Sequence, residues 1–168
     1  MQKWIAPAAV GLLSIVIASS SIVAQSQAPA AGGFDKKAYN YAEWTKGKFS
    51  EAMVVSNPGR HIFVGGTGAE GEEDGKIRFP GDFYGQCKYT FMKIKKVLAL
   101  HGATLKDVVK MTIFVSDMRF FLTDWVKCRG EEYAGTGADL PASALIGVSS
   151  FAWPHMLLEI QTEAMVAK

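Results

Sequence analysis

The sequence predicts one α+β domain in which a mixed sheet carries two helices on one face. Three observations lead there. Short alternating segments and two helical segments, separated by turn signals, follow one another in the order β-β-α-β-α-β-β. Each helix joins strands through a crossover, and the right-handed rule then puts both helices on the same face. The 168 residues are 49% hydrophobic and 11% aromatic, too apolar for a disordered chain and enough for a core that needs no disulfide or metal staple.

Residues 50–56 (SEAMVVS) and 61–66 (HIFVGG) read as strands, divided by the turn signal Asn57-Pro58-Gly59. Residues 67–81 form a loop rich in glycine and acid. Over 82–101 the apolar residues Phe83, Cys87, Phe91, Ile94, Val97 and Leu98 recur on one helical face, and Gly102 is a stop signal. Residues 107–116 alternate: Val109, Met111, Ile113 and Val115 face one way, Lys110, Thr112 and Phe114 the other. A second helix is expected over 119–134, ended by Gly135 to Gly137. The last strands are 140–148 and 155–166; in the latter Met156, Leu158, Ile160, Thr162 and Ala164 oppose Glu159, Gln161 and Glu163. No helix is left to cover the second face of the sheet. Its mixture of Lys110, Phe114 and Glu159 suits subunit association, with ligands held between subunits.

Ahead of this domain, Lys3, an apolar run from Trp4 to Ala18 and Ser19-Ser20-Ser21 read as a secretory signal peptide over 1–24, cut after Ala24. The alternative is an uncleaved anchor, in which case the membrane becomes a partner. Residues 25–48 are then a linker and an N-terminal arm carrying Tyr39, Tyr41 and Trp44, and 49–168 the domain. The expected location is outside the cytoplasm, periplasmic or secreted. A Cys87–Cys128 bond is permitted there but nothing in the sequence demands it.

Several function classes lose support. Lys and Arg total 18 against 16 Asp and Glu, and no basic run reaches five residues, which argues against a nucleic-acid partner. Two cysteines cannot form a thiolate zinc site, and His61, His101 and His155 are scattered, so no metal site is expected. Glu70, Glu72, Glu73 and Asp74 lack EF-hand spacing and read as a solvated acidic loop. Gly65-Gly66-Thr67-Gly68-x-x-Gly71 lacks the Gly-Lys-Ser/Thr ending of a phosphate loop and reads as a turn. Cys87, on the apolar stripe of its helix, reads as a buried, inert thiol. Glu159 is the notable acid. A carboxylate in an apolar strand is desolvated, which raises its pKa toward the range of acid/base work unless a cation pairs with it. The plainer alternative is a glutamate salt-bridged across a subunit interface.

The run Gln86 to Met118 (QCKYTFMKIKKVLALHGATLKDVVKMTIFVSDM) resembles the RidA, or YjgF-like, family of reactive-intermediate enamine/imine deaminases. The likeness rests on Gln86 opening a helix, Gly102 closing it, then Val108-Val109-Lys110, Thr112, Phe114, Asp117 and Met118. Pro141-Ala142, Leu158-Glu159-Ile160 with Ala164, and the strand 62–66 with Gly66 extend it to about residues 49–166. The resemblance implies a chorismate-mutase-like fold and a homotrimer with small-molecule clefts between subunits. It also implies hydrolysis of imines, formed from 2-aminoacrylate and 2-aminocrotonate, to 2-keto acids and ammonia, with no metal or organic cofactor.

In that family an arginine clamps the substrate carboxylate and a glutamate positions water. The glutamate falls on Glu159. The arginine falls on Ser143, a pocket tyrosine on Phe49, and a serine and glutamine flanking Gly66 fall on Gly65 and Thr67. A pocket asparagine falls on Trp125, and the residue two after the arginine, whose backbone holds ligand, on Leu145. A bidentate arginine–carboxylate contact is worth roughly 2–5 kcal/mol, so its loss weakens a small carboxylate by about 10²-fold or more. The hydroxyl of Ser143 returns only about 0.5–1.5 kcal/mol. Phe49, Trp125 and Leu145 make the cleft more apolar, which favours a larger, less charged ligand. Arg119, Arg60 and a neighbouring subunit are the candidate sources of a substitute cation, and the sequence does not choose among them. The alternative function is a non-catalytic trimeric binding protein that has lost the arginine.

Overall fold

Residues 33–168 are described by a computed structural model; the expected signal peptide and the first part of the linker lie outside the described residues. The strands are β1 (Asp35–Tyr39), β2 (Ala52–Ser56), β3 (Arg60–Thr67), β4 (Val108–Val115), β5 (Ala142–Gly147) and β6 (Leu158–Val166). The α-helices are α1 (Phe83–Leu100) and α2 (Val126–Tyr133). Four strands form a mixed sheet in the order β3-β6-β4-β5. β6 runs antiparallel to both neighbours, and β5 lies parallel to β4 at the edge.

The expected α+β architecture stands, but the sheet is not single. β2 leaves it and pairs antiparallel with β1, which forms from the segment expected to be an arm. The turn explains the departure. Asn57 adopts a left-handed φ of 51°, Pro58 offers no N–H, and Gly59 donates to the Val166 carbonyl at 2.9 Å, so β3 enters beside β6 instead of beside β2. A side chain at Gly59 would strike the backbone of Ala167 and Lys168. The ribbon still touches the sheet where Ser50 bridges Ala142 and its hydroxyl donates to the Leu140 carbonyl at 2.5 Å.

Alternation builds the core on the helix side. Met111, Ile113, Val115, Leu158, Ile160 and Ala164 are buried there against Phe83, Phe91, Ile94 and Leu98 of α1. Asp82 caps α1 by accepting from the Gly85 N–H at 2.9 Å, and Gly102, at a φ of 67°, follows the C-cap His101. Gln86 is fully buried because every polar atom it uses has a partner. Its Nε2 donates to the Phe79 and His155 carbonyls at 3.1 and 2.8 Å, and its Oε1 accepts from the Leu157 N–H at 2.8 Å. That last bond fixes the chain as it enters β6.

Three sequence expectations change. A register shift between Val108 and Lys110 puts Val108, not Val109, in the core cluster. Val109 instead lines a cavity with Met53 and Val55. The helix expected over 119–134 is divided into a 3₁₀ turn (Met118–Phe120), a π turn (Phe121–Trp125) and α2. The wide turn delivers Trp125 into the core, stacked on Phe91 with ring centroids 6.0 Å apart. Finally, Cys87 is not a free thiol. It is bonded to Cys128 of α2, both residues fully buried, and this bond joins the two helices.

Candidate functional site

Glu159 stands on the face of the sheet that no helix covers. β6 holds it opposite Phe114 of β4, while the next residue, Ile160, pairs with Thr67 of β3. Gly66 lies directly against it, because a Cβ there would collide with the Glu159 Oε1. Any larger residue at 66 displaces the carboxylate, which gives that glycine a reason to be one. Glu159 has neither hydrogen bond nor ion pair within the described residues. Burial, and then the charge of Glu70, push its carboxyl above the ordinary glutamate value.

The loop after β3 brings Glu70 close. Its carboxylate accepts from the Gly68 N–H at 3.1 Å and meets Lys93 of α1 at 2.9 Å. The acidic loop is therefore not simply solvated: Glu72 pairs with Lys96 at 2.7 Å and Asp74 with Arg78 at 2.9 Å. Among the described residues no group of three or more His, Cys, Asp or Glu is placed to hold a metal ion.

Three shallow cavities open on the same face. One of about 280 Å³ is lined by Phe63, Gly65, Lys110, Thr112, Gln161 and Glu163. One of about 340 Å³ holds Phe49, Ser50, Glu51, Lys110, Ala142 and Ser143. The third, about 380 Å³, contains Val109, Met53, Val55, Lys110 and Glu163. Phe49 and Ser143 thus border one cavity, Ser143 from the edge strand, where its register with Met111 turns the side chain to the same side as Leu145. Gly65 lines the next, and Gly66 and Thr67 adjoin Glu159. Ser143 pairs with Met111 and Glu159 with Phe114, so one chain does not bring the two into a common cavity.

Two predicted site residues lie elsewhere. Trp125 is 2% exposed in the core, on the helix side of the sheet. The side chain of Leu145, opposite Ile113, packs against the same core and leaves only its backbone toward the sheet edge. The two candidate substitute cations of this chain make surface contacts with other groups. Arg119 pairs with Asp117 at 2.5 Å, and Arg60 donates to the His101 carbonyl at 3.0 Å. Lys110 is the residue sequence reasoning missed. It borders all three cavities, and its ammonium lies 3.2 Å from Glu163. Strand alternation places it on this face, among the residues suited to subunit association, and carries no sign of the cavities it borders.

The chain matches the family model described as Endoribonuclease L-PSP over residues 42–166, and it belongs to that family, the Rid/YjgF/RutC proteins. A RutC family protein of Pyrococcus abyssi is 35% identical over 122 residues, spanning 73% of this chain and 87% of the relative. One from Pyrococcus horikoshii is 30% identical over 119 residues, 70% of this chain and 86% of that one. The Rid-family protein YyfB of Yersinia pestis, of unknown function, superposes with a TM-score of 0.66 at 27% identity, covering 78% of this chain and 98% of its own. Escherichia coli TdcF, solved with bound serine, shares the fold at a TM-score of 0.58 and 23% identity, over 64% of this chain and 82% of that one.

Proposed function

We propose that this protein is an exported Rid-family hydrolase that deaminates an enamine, imine or related small molecule, with Glu159 activating water. The observation that carries the reading is the Glu159 carboxylate: half-buried, raised by burial, seated against Gly66 and without a cation of its own. Such a group accepts a proton from water as the water oxygen bonds to the imine carbon. That proton passes to the imine nitrogen to give a neutral carbinolamine. On its collapse the hydroxyl proton moves through the same carboxylate to the departing nitrogen, so the C–N bond breaks, the C=O bond forms and ammonia leaves. No cofactor enters this scheme.

The cleft is completed by further copies of the chain, in a homotrimer. Exposed Phe63 and Ile146 on the open face, and the separation of Ser143 from Glu159, support that assembly. The substrate carries little net charge, because Ser143 replaces a guanidinium and Lys110 is already offset by Glu163. Glu70, Glu159 and Glu163 on or beside this face disfavour phosphates, so nucleic acid is not the partner we propose. The buried Cys87–Cys128 bond supports an oxidising compartment, periplasmic or extracellular.

Ser143 also favours a second reading, a trimeric binding protein that has lost the chemistry. Ammonia release from freshly generated 2-iminobutanoate, by wild type and Ser143→Arg, separates the two. Activity in wild type, or activity gained in the variant, supports the hydrolase. Silence of both toward 2-iminobutanoate and toward an uncharged imine, beside an active control enzyme, leaves the binding protein.

A further inference from the structure

One ammonium holds the loop beside Glu159. Lys93 of α1 donates to the Gly68 carbonyl at 3.1 Å, the Glu70 carbonyl at 2.8 Å and the Glu70 Oε2 at 2.9 Å, so its three protons have three acceptors. The side chains of Lys93 and Glu70 are 18% and 21% exposed, whereas those of the neighbouring Lys96–Glu72 pair are 56% and 44%. Exposed pairs contribute little, so the sheltered one is the connection that fixes the loop. The space is full: a Cβ on Gly68 would press on Met156, the Leu158 carbonyl and the Glu70 Oε1. The clamped segment is continuous with Gly66, and Leu158 precedes Glu159, so both supports of the Glu159 carboxylate meet this clamp.

We propose that the Lys93–Glu70 pair is a positioning device for Glu159, fixing residues 65–70 against β6 and setting the charge beside the water-activating carboxylate. Its catalytic consequence rests on the hydrolase reading; its effect on Glu159 does not. The charged groups facing Glu159 are few. The loop supplies Glu70, backed by Lys93 from α1. Further along the same face of β6 stands Glu163, paired with Lys110 of β4. β3 contributes Gly66 and Thr67, and β4 contributes Phe114 directly opposite, none of them charged.

The test is the titration of the Glu159 carboxyl, followed by ¹³C NMR in the full disulfide-bonded chain and assigned with Glu159→Gln. Glu70→Gln keeps the length and the acceptor oxygen but removes the negative charge, so the Glu159 midpoint falls toward the ordinary glutamate range. Lys93→Met removes the compensating cation, so the midpoint rises. A loop with only a structural part in the fold does not give shifts of opposite sign. Unmoved midpoints, or movement in the same direction, overturn the proposal, and if Glu70→Gln fails to fold, the sign of the Lys93→Met shift decides alone. Ammonia release is measured beside it. Opposite shifts in a protein that releases no ammonia contradict the hydrolase reading and leave the positioning intact. Turnover with unmoved midpoints does the reverse.

Discussion

Glu132 and Glu159 are both sheltered glutamates, on opposite sides of one sheet, and they differ in their neighbours. Glu132 of α2 is 9% exposed and receives Lys95 at 2.7 Å and Lys88 on its other oxygen. Burial alone would raise its carboxyl, but the hydrogen bonds and charges of Lys88 and Lys95 outweigh it and hold the group below the ordinary value. Glu159 has no such cation, and burial followed by the Glu70 charge leaves it raised. An acid matched by cations joins two helices, and its charge is already answered. An acid left unmatched costs stability and keeps a basic oxygen available for chemistry. The same division runs through the molecule: the helix face holds the fold together, and the open face holds the candidate site.

The division breaks if helix-side substitutions prove mild. Phe91→Ala, at a fully buried ring stacked on Trp125, is expected to lose about 3–5 kcal/mol in urea unfolding. Replacing Cys87 and Cys128 together by alanine opens a loop of 41 residues and is expected to cost about 2–4 kcal/mol by the same measurement. On the open face the order of effects reverses. Gly66→Ala meets only the far end of a flexible side chain, so about 1 kcal/mol or less is lost, while displacement of Glu159 lowers turnover by about 10²-fold. Phe63→Ser, at a side chain 73% exposed, is expected to shift chain stability by about 0.5 kcal/mol or less and, if the proposed trimer forms through this face, to weaken assembly in sedimentation.

The two glutamates also predict pH effects of opposite sign. Glu132, lowered in the folded state, contributes stability that is present above the unfolded value of 4.5 and is lost as pH falls through its folded value. Glu159, raised in the folded state, imposes a penalty that is full above its folded value and disappears as pH falls to 4.5 and below. Urea midpoints of Glu132→Gln and Glu159→Gln across this range expose the two signs separately.

Much of this division is legible in the sequence. The alternation of β4 and β6 separates Met111, Ile113, Leu158 and Ile160 from Lys110 and Glu159, because each side chain's face follows from its position along the strand. Val109 escapes that rule because a bulge inserts a residue without changing the pattern of residue types. Family likeness assigns Trp125 to the pocket, and the π turn that carries it into the core leaves no periodic signal. The Cys87–Cys128 bond and the Lys93–Glu70 clamp join residues far apart in the chain, and only the packing of α1 against α2 and against the loop brings them together. The strand β1 was hidden because its partner, β2, reads equally well as a member of the main sheet.

The most direct test measures Glu159→Gln twice, for urea stability at neutral pH and for ammonia release from a wild-type substrate. An unmatched carboxylate kept for chemistry predicts a variant at least as stable as wild type whose turnover is lost. A variant that is less stable, or one that releases ammonia at the wild-type rate, contradicts the account.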